Sequence, residues 1–333
     1  MPITINSFLG RFGYKARQWF PNLSSNAYLK LQFKTRKKAQ DAFCAWFLSQ
    51  EIAPMPQVVN IETINRCNST CEFCTANVNA EKRPRCVIDD GLYRNIIDQL
   101  ADWGYEGHLT LYGNNEPLLD TKIVERHKYA REKLPKAFIF MSTNGLILTI
   151  DKVKEIAPYI DQLIINNYAL EYKLHDNIKE LYDYVKAHPD EFKDLDIQIQ
   201  MRYLKEVLTN RAGSSPNKKE TLSEAVTEAC LLPFTDVWIT PNGKVGLCCC
   251  DNYEVTDFGD LNRTPLVEIW NGAKLRAARE KIAQGRQNYP FCSKCDFIDA
   301  GFRMQVARKV LAGDFEGANR TGGEEKNSRK SRS

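Results

Sequence analysis

Two hydrophobic periodicities alternate along the middle of the chain. Short apolar, β-branched runs with the character of strands are separated by longer segments whose apolar residues recur every three or four positions, as in amphipathic helices. The pattern predicts these strands: 57–64, 107–113, 137–143, 162–168 and 195–204. It predicts these helices between them: 89–104, 120–134, 149–160 and 175–188. Because strand and helix alternate strictly, we expect an α/β fold with a parallel sheet and right-handed crossovers.

The residues beyond 216 follow another pattern. On either side of Pro241-Asn242-Gly243 apolar and polar residues alternate, which predicts a β-hairpin with a tight turn. Residues 266–285 have the apolar spacing of a helix. The change of pattern indicates a small second domain after the parallel sheet, and a chain of 333 residues is long enough for both.

Composition and charge narrow the class of protein. Hydrophobic residues make up 43% and charged residues 26%, which is ordinary for a soluble globular protein. No stretch approaches the roughly 20 apolar residues of a membrane span, and the N-terminus lacks a clear signal-peptide core. Of the net charge of +4, residues 319–333 supply +3, from five basic and two acidic side chains, so the rest is near neutral. We therefore expect a cytoplasmic protein with neither a membrane nor a nucleic-acid partner.

The eleven cysteines fall mostly in clusters. The cytosol keeps thiols reduced, so this clustering indicates a metal site and not a disulfide framework. The sequence CNSTCEFC, on the loop after the first predicted strand, contains Cys67, Cys71 and Cys74. Structural zinc sites have four protein ligands, usually in C-x2-C pairs. A three-cysteine loop instead suits a four-iron cluster that keeps one iron open, although zinc or chance would also produce such a motif.

Polar residues follow the other predicted strands. The chemistry of parallel α/β folds lies beyond the carboxyl ends of the strands, so these segments are expected to share one mouth. Each segment by itself also has an explanation without a binding role. Glu116 could be a solvated loop acid, and the sequence STNG could be a turn. Asn166, Asn167 and Tyr168 could form a buried polar cluster that supports the mouth. The segments concerned are YGNNEPLL (112–119), STNG (142–145), Asn166–Tyr168 and Arg202.

The cysteine triplet resembles the C-x3-C-x2-C signature of the radical S-adenosylmethionine (SAM) superfamily, with Phe73 as the aromatic residue before the last cysteine. The resemblance implies a partial (β/α)6-type parallel barrel in which the triplet holds a [4Fe–4S] cluster and SAM binds its open iron. The segment GNNEP resembles the loop that holds the methionyl amine, with asparagines where glycine is usual. The segment STNG resembles the ribose-binding strand end, and Arg202 is the implied partner of the SAM carboxylate. The implied SAM-binding residues are Phe73, Gly113, Asn114, Asn115, Glu116, Pro117, Ser142, Asn144 and Arg202.

The second half resembles the twitch domain, the shortened form of the SPASM extension. Its marks are Gly243-x4-Cys248, the stretch GDLNRTPLVEIWNG, and a terminal C-x2-C pair followed by Asp296. No cysteine follows Cys295, so the resemblance implies one auxiliary [4Fe–4S] cluster, the alternative being a four-cysteine zinc ribbon. The implied ligands are Cys230, Cys248, Cys292 and Cys295. The expected divisions are an N-terminal extension, the barrel, the hairpin-and-helix twitch domain, and a C-terminal helix with a disordered tail: 1–56, 57–215, 216–300 and 301–333.

The resemblance also implies a reaction. Reductive cleavage of SAM would give a 5′-deoxyadenosyl radical that removes a hydrogen atom from a substrate C–H bond. Dehydrogenation follows if the substrate then passes an electron to the auxiliary cluster, and epimerisation follows if a thiol returns a hydrogen atom to the opposite face. Cys249 and Cys250 are the candidate donors, and strand alternation places Cys250 on the face of Cys248.

The substrate class stays open at this point. The resemblance implies a sugar, an aminocyclitol or a peptide as substrate, and a flavodoxin- or ferredoxin-type reductant as partner. The competing hypothesis is a non-catalytic iron–sulfur or zinc protein with an electron-transfer or structural role. That hypothesis accounts for the cysteines but gives no reason for GNNEP and STNG at neighbouring strand ends.

Overall fold

One nine-stranded sheet organises the protein. The computed structural model describes residues 2–5, 33–218, 228–298 and 301–319. The strands are β1 (Ile3–Ile5), β2 (Val58–Ile61), β3 (His108–Thr110), β4 (Phe138–Thr143), β5 (Gln162–Ala169), β6 (Asp196–Tyr203), β7 (Asp236–Ile239), β8 (Lys244–Gly246) and β9 (Gly259–Asp260). They lie in the order β1-β6-β5-β4-β3-β2-β7-β8-β9. The first seven strands in this order are parallel, and β8 and β9 continue the sheet antiparallel.

Helices connect the parallel strands, as the sequence pattern predicted. The helices are α1 (Phe33–Ser49), α2 (Asp90–Asp102), α3 (Ile123–Lys133), α4 (Ile150–Ile156), α5 (Asp176–Ala187), α6 (Leu232–Thr235), α7 (Leu266–Asn271), α8 (Ala273–Ala283), α9 (Phe302–Leu311) and α10 (Phe315–Asn319). Short 3-10 turns occupy Pro117–Leu119, Ala157–Tyr159, Pro189–Phe192, Arg211–Gly213 and Arg286–Asn288. The α/β class and the partial parallel barrel are therefore confirmed.

Local chemistry explains where the helices begin. The side chain of Asp89 accepts the backbone N–H of Leu92 at the start of α2, and Thr149 accepts that of Lys152 at the start of α4. Helix α2 buries Leu92, Tyr93, Ile96, Ile97 and Leu100 on one side. These residues recur at helical spacing, so α2 covers the sheet with an apolar face and leaves its polar face to solvent.

The sheet includes two parallel strands that the periodicity did not place. Strand β1, inside the segment expected to be an N-terminal extension, pairs with β6 at the edge. Strand β7, the first strand of the predicted hairpin, pairs with β2, with Val58 opposite Asp236. The hairpin itself is confirmed, because β7 and β8 are antiparallel and Gly243 has a positive φ of 85° in the turn. The barrel and the hairpin thus share one hydrogen-bonded sheet.

The C-terminal half differs from the sequence-based prediction in one helix and in the cysteine run, and it contains the expected C-terminal helix. The predicted helix over 266–285 is two helices, because Gly272 adopts an extended conformation between them. The cysteine run 248–250 lies in a turn after β8 and not on a strand, and the N–H of Asp251 bonds the carbonyl of Cys248 (3.0 Å). The expected C-terminal helix is α9, which packs against α1. The expected disordered tail lies outside the described residues.

Hydropathy along the helices bears on membrane association. None of the helices that the structure describes combines the length and the apolar character needed to cross a bilayer.

Candidate active site

A pocket opens at the carboxyl ends of the parallel strands. It encloses about 190 Å³, and it brings together the strand-end segments that the sequence analysis expected at one mouth. The lining residues are Cys67, Ser69, Cys71, Phe73, Cys74, Asn77, Tyr112, Gly113, Asn114, Asn115, Glu116, Ser142, Thr143, Asn144, Asn166, Tyr168 and Arg211. Two of the predicted SAM-binding residues, Pro117 and Arg202, do not line it.

The cysteine triplet occupies one wall of this pocket. Ser69 places its hydroxyl 3.0 Å from the Cys71 sulfur and donates its backbone N–H to the Cys67 sulfur (3.4 Å). The side-chain amide of Asn77 donates to the carbonyls of Cys71 (3.0 Å) and Cys74 (2.6 Å), which fixes the shape of the loop. Burial raises the pKa of Cys67 to about 12 and that of Cys71 to about 11. Thiolate character at these sulfurs therefore requires a positive partner such as an iron ion.

Glu116 is a buried structural carboxylate and not a solvated loop acid. It is 1% exposed, and it accepts the Thr143 hydroxyl (2.6 Å) together with the backbone N–H groups of Asn144 (2.7 Å) and Leu118 (3.1 Å). Burial raises the pKa of Glu116 to about 7, and these three hydrogen bonds offset part of the rise. The carboxylate thereby joins the loop after β3 to the end of β4, and Pro117 begins the 3-10 turn that it caps.

The asparagines of GNNEP make contacts that glycines could not. The Asn114 amide donates to the Cys249 carbonyl (3.0 Å), and its oxygen accepts a hydrogen bond from Arg211. The Asn115 oxygen accepts the N–H of Gly113 (2.7 Å), while its buried Nδ2 has no partner among the described residues. This free donor lies in a pocket-lining side chain, so it is available to a bound ligand.

The polar side chains at the end of β4 are joined to their neighbours by hydrogen bonds. Asn166 donates to the Ser142 hydroxyl (2.8 Å), and Ser142 also hydrogen-bonds Tyr112. Asn144 reaches the cysteine loop, where its amide donates to Asn68 (2.8 Å) and lies 3.6 Å from the Cys67 sulfur. Ser142 and Asn144 are thus positioned to contact a ligand bound beside the triplet.

Some residues of Asn166–Tyr168 line the pocket, as expected at the mouth, and one is buried support for it. Asn166 and Tyr168 line the pocket, and the Tyr168 ring packs 5.5 Å from the ring of Phe73. Asn167 points away and is fully buried, bonded to the Lys173 carbonyl (2.9 Å) and the His175 N–H (2.9 Å). The chain therefore uses alternate positions of β5 for the pocket and for its support.

The arginine in the pocket is Arg211. Arg202 instead bonds Glu206, with Nε 2.8 Å from the carboxylate, and lies over the Tyr168 ring at 5.6 Å. Arg211 lines the pocket, hydrogen-bonds Asn114 and approaches the Cys249 carbonyl (3.5 Å). Sequence reasoning missed it because it lies after β6 in a segment without periodicity, where its φ of 48° gives no signal in the sequence.

The four cysteines expected around the auxiliary cluster lie together. Burial raises the pKa of Cys230 to about 12, with further contributions from the neighbouring thiols of Cys248 and Cys295. Hydrogen bonds from Cys250 and from the backbone of Phe297 and Ala212 lower the pKa of Cys295 to about 6. Cys292 interacts electrostatically with the other three thiols. Thus thiols from two distant segments meet, as a fully ligated cluster requires.

The chemistry of this donor set suits an iron–sulfur cluster. Four soft thiols are the ligand set of a [4Fe–4S] cluster.

The two candidate hydrogen donors have different surroundings. Cys250 is 3% exposed, and its thiol hydrogen-bonds those of Cys248, Cys249 and Cys295, so it belongs with the auxiliary cysteines. Cys249 lies at the boundary of the pocket, where its thiol interacts with Arg211 and with the pocket residue Tyr112. Neither thiol lines the pocket itself.

Comparison with protein families agrees with this geometry. The radical SAM superfamily model matches residues 61–202, and the model of an iron–sulfur cluster-binding domain, SPASM, matches residues 230–296. The chain is therefore a radical SAM enzyme with a C-terminal SPASM domain. Its cofactors are SAM and two iron–sulfur clusters, which excludes the zinc-ribbon alternative.

Particular relatives are similar over most of their length. The S-adenosyl-L-methionine-dependent 2-deoxy-scyllo-inosamine dehydrogenase of Niallia circulans is 22% identical over 243 residues, which cover 72% of this chain and 93% of that protein. The crystal structure of BtrN in complex with AdoMet and 2-DOIA has a TM-score of 0.63 at 21% identity, covering 73% of this chain and 94% of that chain. Selenomethionine BtrN in an open conformation has a TM-score of 0.53 at 18% identity, with the same coverage. These two structures share the fold.

Proposed function

We propose that the enzyme oxidises a secondary alcohol of a small, hydroxyl-rich substrate, of the aminocyclitol or sugar class, to a ketone. The observation that carries the proposal is the position of Arg211. Its side chain lines the pocket beside Asn114, and its guanidinium interacts electrostatically with the thiols of Cys74, Cys249 and Cys250. A substrate held at Arg211 would therefore lie near both cysteine groups.

The oxidation must remove one hydrogen atom, one electron and one proton from the substrate. SAM, when bound and reductively cleaved, supplies the 5′-deoxyadenosyl group that takes the carbon-bound hydrogen atom. The auxiliary cluster, which Cys230, Cys248, Cys292 and Cys295 would hold, would supply an acceptor for the remaining electron, and the hydroxyl proton would pass to solvent. Arg211 holds the reacting oxygen by its charge, because a guanidinium stabilises an oxygen that is losing its proton.

The other pocket residues divide between the two ligands. Cys67, Cys71 and Cys74 would hold the SAM-binding cluster. Asn114, Asn115, Ser142 and Asn144 would hold SAM with the backbone of the GNNEP loop, which the Glu116 carboxylate keeps in place. Amides and hydroxyls dominate the lining, and they match the alternating donors and acceptors of a polyol better than the side chains of a peptide. The 22% identity to the scyllo-inosamine dehydrogenase supports the same class.

Epimerisation is the second candidate, favoured by one observation. The Cys249 thiol approaches Arg211 and Tyr112 at the edge of the pocket, and the Cys250 hydrogen bond and the Arg211 charge both lower its pKa. A thiol that returns a hydrogen atom would have to reach a substrate carbon from this place. Oxidation stands first because Cys249 does not line the pocket.

The electron that starts the reaction has to come from outside the chain. We propose a flavodoxin- or ferredoxin-type reductant in the cytoplasm, a compartment in which the thiols that ligate both clusters stay reduced before assembly.

The test is turnover under anaerobic conditions after reconstitution with iron and sulfide. We expect about eight irons per chain, and dithionite with SAM and 2-deoxy-scyllo-inosamine or related polyols should give 5′-deoxyadenosine and a product lacking two hydrogen atoms. An inverted product of unchanged mass, carrying one solvent deuterium after turnover in deuterated water, would favour epimerisation. Brown protein, which contains iron–sulfur clusters, that forms no 5′-deoxyadenosine would favour the hypothesis of a non-catalytic electron-transfer protein.

A further inference from the structure

We propose that Asn210 and Asp296 are positioning residues that tie the auxiliary cluster to the substrate pocket. Together with Lys218 they form a buried set of contacts, here called the clasp. The clasp joins the chain leaving β6 to the segment just after Cys295. The inference rests on the proposed function in one respect, because it assumes that the auxiliary cluster accepts the electron of the substrate.

The clasp is built from reciprocal hydrogen bonds. The Asp296 carboxylate accepts the backbone N–H of Asn210 (2.7 Å), and the Asn210 amide oxygen accepts the backbone N–H of Asp296 (3.2 Å). The Asn210 amide also donates to the Lys294 carbonyl (2.7 Å). Lys218 pairs with the second carboxylate oxygen at 2.5 Å. Asn210 is fully buried and Asp296 is 5% exposed, so water does not compete for the hydrogen bonds between these two residues.

The residues after Asn210 adopt an unusual backbone. Arg211 and Ala212 have φ values of 48° and 54°, and two successive non-glycine residues in the left-handed region are disfavoured unless neighbouring contacts hold them. The clasp supplies such contacts at Asn210, where the strained turn begins. Its bonds reach across 86 positions of sequence, so the turn depends on the C-terminal segment.

The strained turn touches both functional regions. The Arg211 side chain enters the pocket and bonds Asn114, while Asn210, at the start of the turn, hydrogen-bonds Lys294 and Asp296, the residues on either side of Cys295. A shift of the turn would therefore move a pocket cation and the backbone that carries a cluster ligand together. The reduction potential of an iron–sulfur cluster depends on the hydrogen bonds and charges around its ligands, so loss of the clasp should change the potential of the auxiliary cluster.

The decisive variants are Asn210→Ala and Asp296→Asn, with Ser293→Ala as the matched control. Ser293 lies between the two cysteines of the C-x2-C pair, but its hydroxyl bonds the Pro290 carbonyl and takes no part in the clasp. In both clasp variants we expect an auxiliary-cluster potential that differs from that of the wild type, measured by an anaerobic redox titration followed by electron paramagnetic resonance, and the loss of the Asp296 negative charge should raise it. The control should titrate as the wild type does.

The same variants should uncouple the reaction. We expect the substrate KM to rise about 10-fold, because a shift of the turn displaces Arg211, which holds the substrate. The ratio of 5′-deoxyadenosine to ketone should also rise, because a misplaced substrate wastes SAM cleavage. Since the two residues act through one turn, the double variant should be little worse than either single variant.

The outcomes separate this inference from the proposed function. If the wild type oxidises the substrate and both clasp variants match it in potential, KM and product ratio, the clasp has no positioning role. Loss of the auxiliary irons from both clasp variants but not from the control would also overturn the inference, because the clasp would then be scaffold for the cluster alone. If the wild type produces no ketone from any polyol, the proposed function fails, and the potential of the clasp variants still decides whether the clasp bears on the cluster.

Discussion

The indole of Trp238 packs directly against Gly113, so closely that a Cβ at position 113 would lie 2.5 Å from the ring. Trp238 belongs to β7, and Gly113 begins the GNNEP loop after β3, two strands away. The C-terminal half of the chain therefore supports the proposed SAM-binding loop through the contact between Trp238 and Gly113. Replacing Gly113 by Ala should displace the loop and weaken SAM binding about 10-fold, measured by equilibrium dialysis of the reconstituted protein.

Trp238→Phe provides the matching control for this prediction. The smaller ring lacks the atoms nearest to Gly113. The Trp238 Nε1 has no hydrogen-bond partner among the described residues, so the change leaves no polar group unpaired there. We expect Gly113→Ala with Trp238→Phe to regain most of the lost SAM affinity. Unchanged SAM binding in the single Gly113→Ala variant would show that the loop tolerates the displacement.

The two arginines near the pocket should behave differently when each is replaced by Met. Arg211→Met removes the pocket cation, so ketone formation should fall about 100-fold with little loss of stability. Arg202→Met removes the cation that faces the buried Glu206 carboxylate, which should cost about 1–3 kcal/mol of unfolding free energy. Steady-state turnover and urea unfolding separate the two effects. Equal losses of turnover in both variants would restore Arg202 as a ligand-binding residue.

Loss of any triplet cysteine should abolish SAM cleavage. Cys67→Ala, Cys71→Ala and Cys74→Ala each remove one thiolate from the cluster whose open iron binds SAM, so 5′-deoxyadenosine should fall to background. The auxiliary cluster should remain, leaving about four irons per chain. Cys86→Ala, a change at a partly exposed cysteine outside both groups, should keep full activity. SAM cleavage by a triplet variant under reducing conditions would show that the assignment is wrong.

Cys249 is the position that distinguishes the two candidate reactions. If the enzyme is a dehydrogenase, Cys249→Ala should leave SAM cleavage and ketone formation within about 2-fold of the wild type, because the thiol lies outside the pocket lining. In an epimerase, the same variant should cleave SAM but accumulate no inverted product. Mass spectrometry of products formed in deuterated water reads out both possibilities, and Cys250→Ala serves as the comparison.

Stability should fall as the pH rises from 6 to 8. Burial raises the pKa of Glu62 and of Glu116 to about 7, from an ordinary value of 4.5. The folded state therefore binds protons in this range that the unfolded state does not, so its stability is complete below about pH 4.5 and declines as the pH passes 7. We expect a loss of about 2–3 kcal/mol between pH 6 and 8 for the two groups together.

Glu62→Gln isolates one of the two carboxyls. Glu62 is fully buried and pairs with Arg83 (2.8 Å), which also pairs with Glu81, so the arginine keeps a partner in the variant. Urea midpoints measured anaerobically at several pH values should show about half of the wild-type slope. A wild type whose midpoint is flat across this range would mean that both carboxylates are ionised in the folded protein.

Periodicity and topology together made most of the fold and the pocket predictable. Amphipathic spacing marks α2 and its neighbours, and parallel strands necessarily bring their carboxyl ends to one edge, so residues as distant as Cys67 and Ser142 could be placed together. Strand β1 has only three residues, too few for a period. The partner of β7 was unpredictable because a strand pattern does not say which strand lies beside it.

The residues that sequence reasoning misplaced owe their positions to tertiary contacts. Arg211 reaches the pocket through a turn held by Asp296, and nothing within a few residues of Arg211 signals that turn. The helix over 266–285 is broken at Gly272, although apolar spacing continues across the break. The cysteine run beginning at Cys248 continues the alternation of β8 in sequence, but the bond from Asp251 closes a turn there.

The pairing of β2 with β7 has a consequence for the newly made chain. Val58 and Asp236 are register partners although 178 positions (236 − 58) separate them. While the protein is being synthesised, β2 therefore has a bare edge until the ribosome has delivered the strand that covers it. Such distant closure slows folding and leaves an open strand edge in the nascent protein.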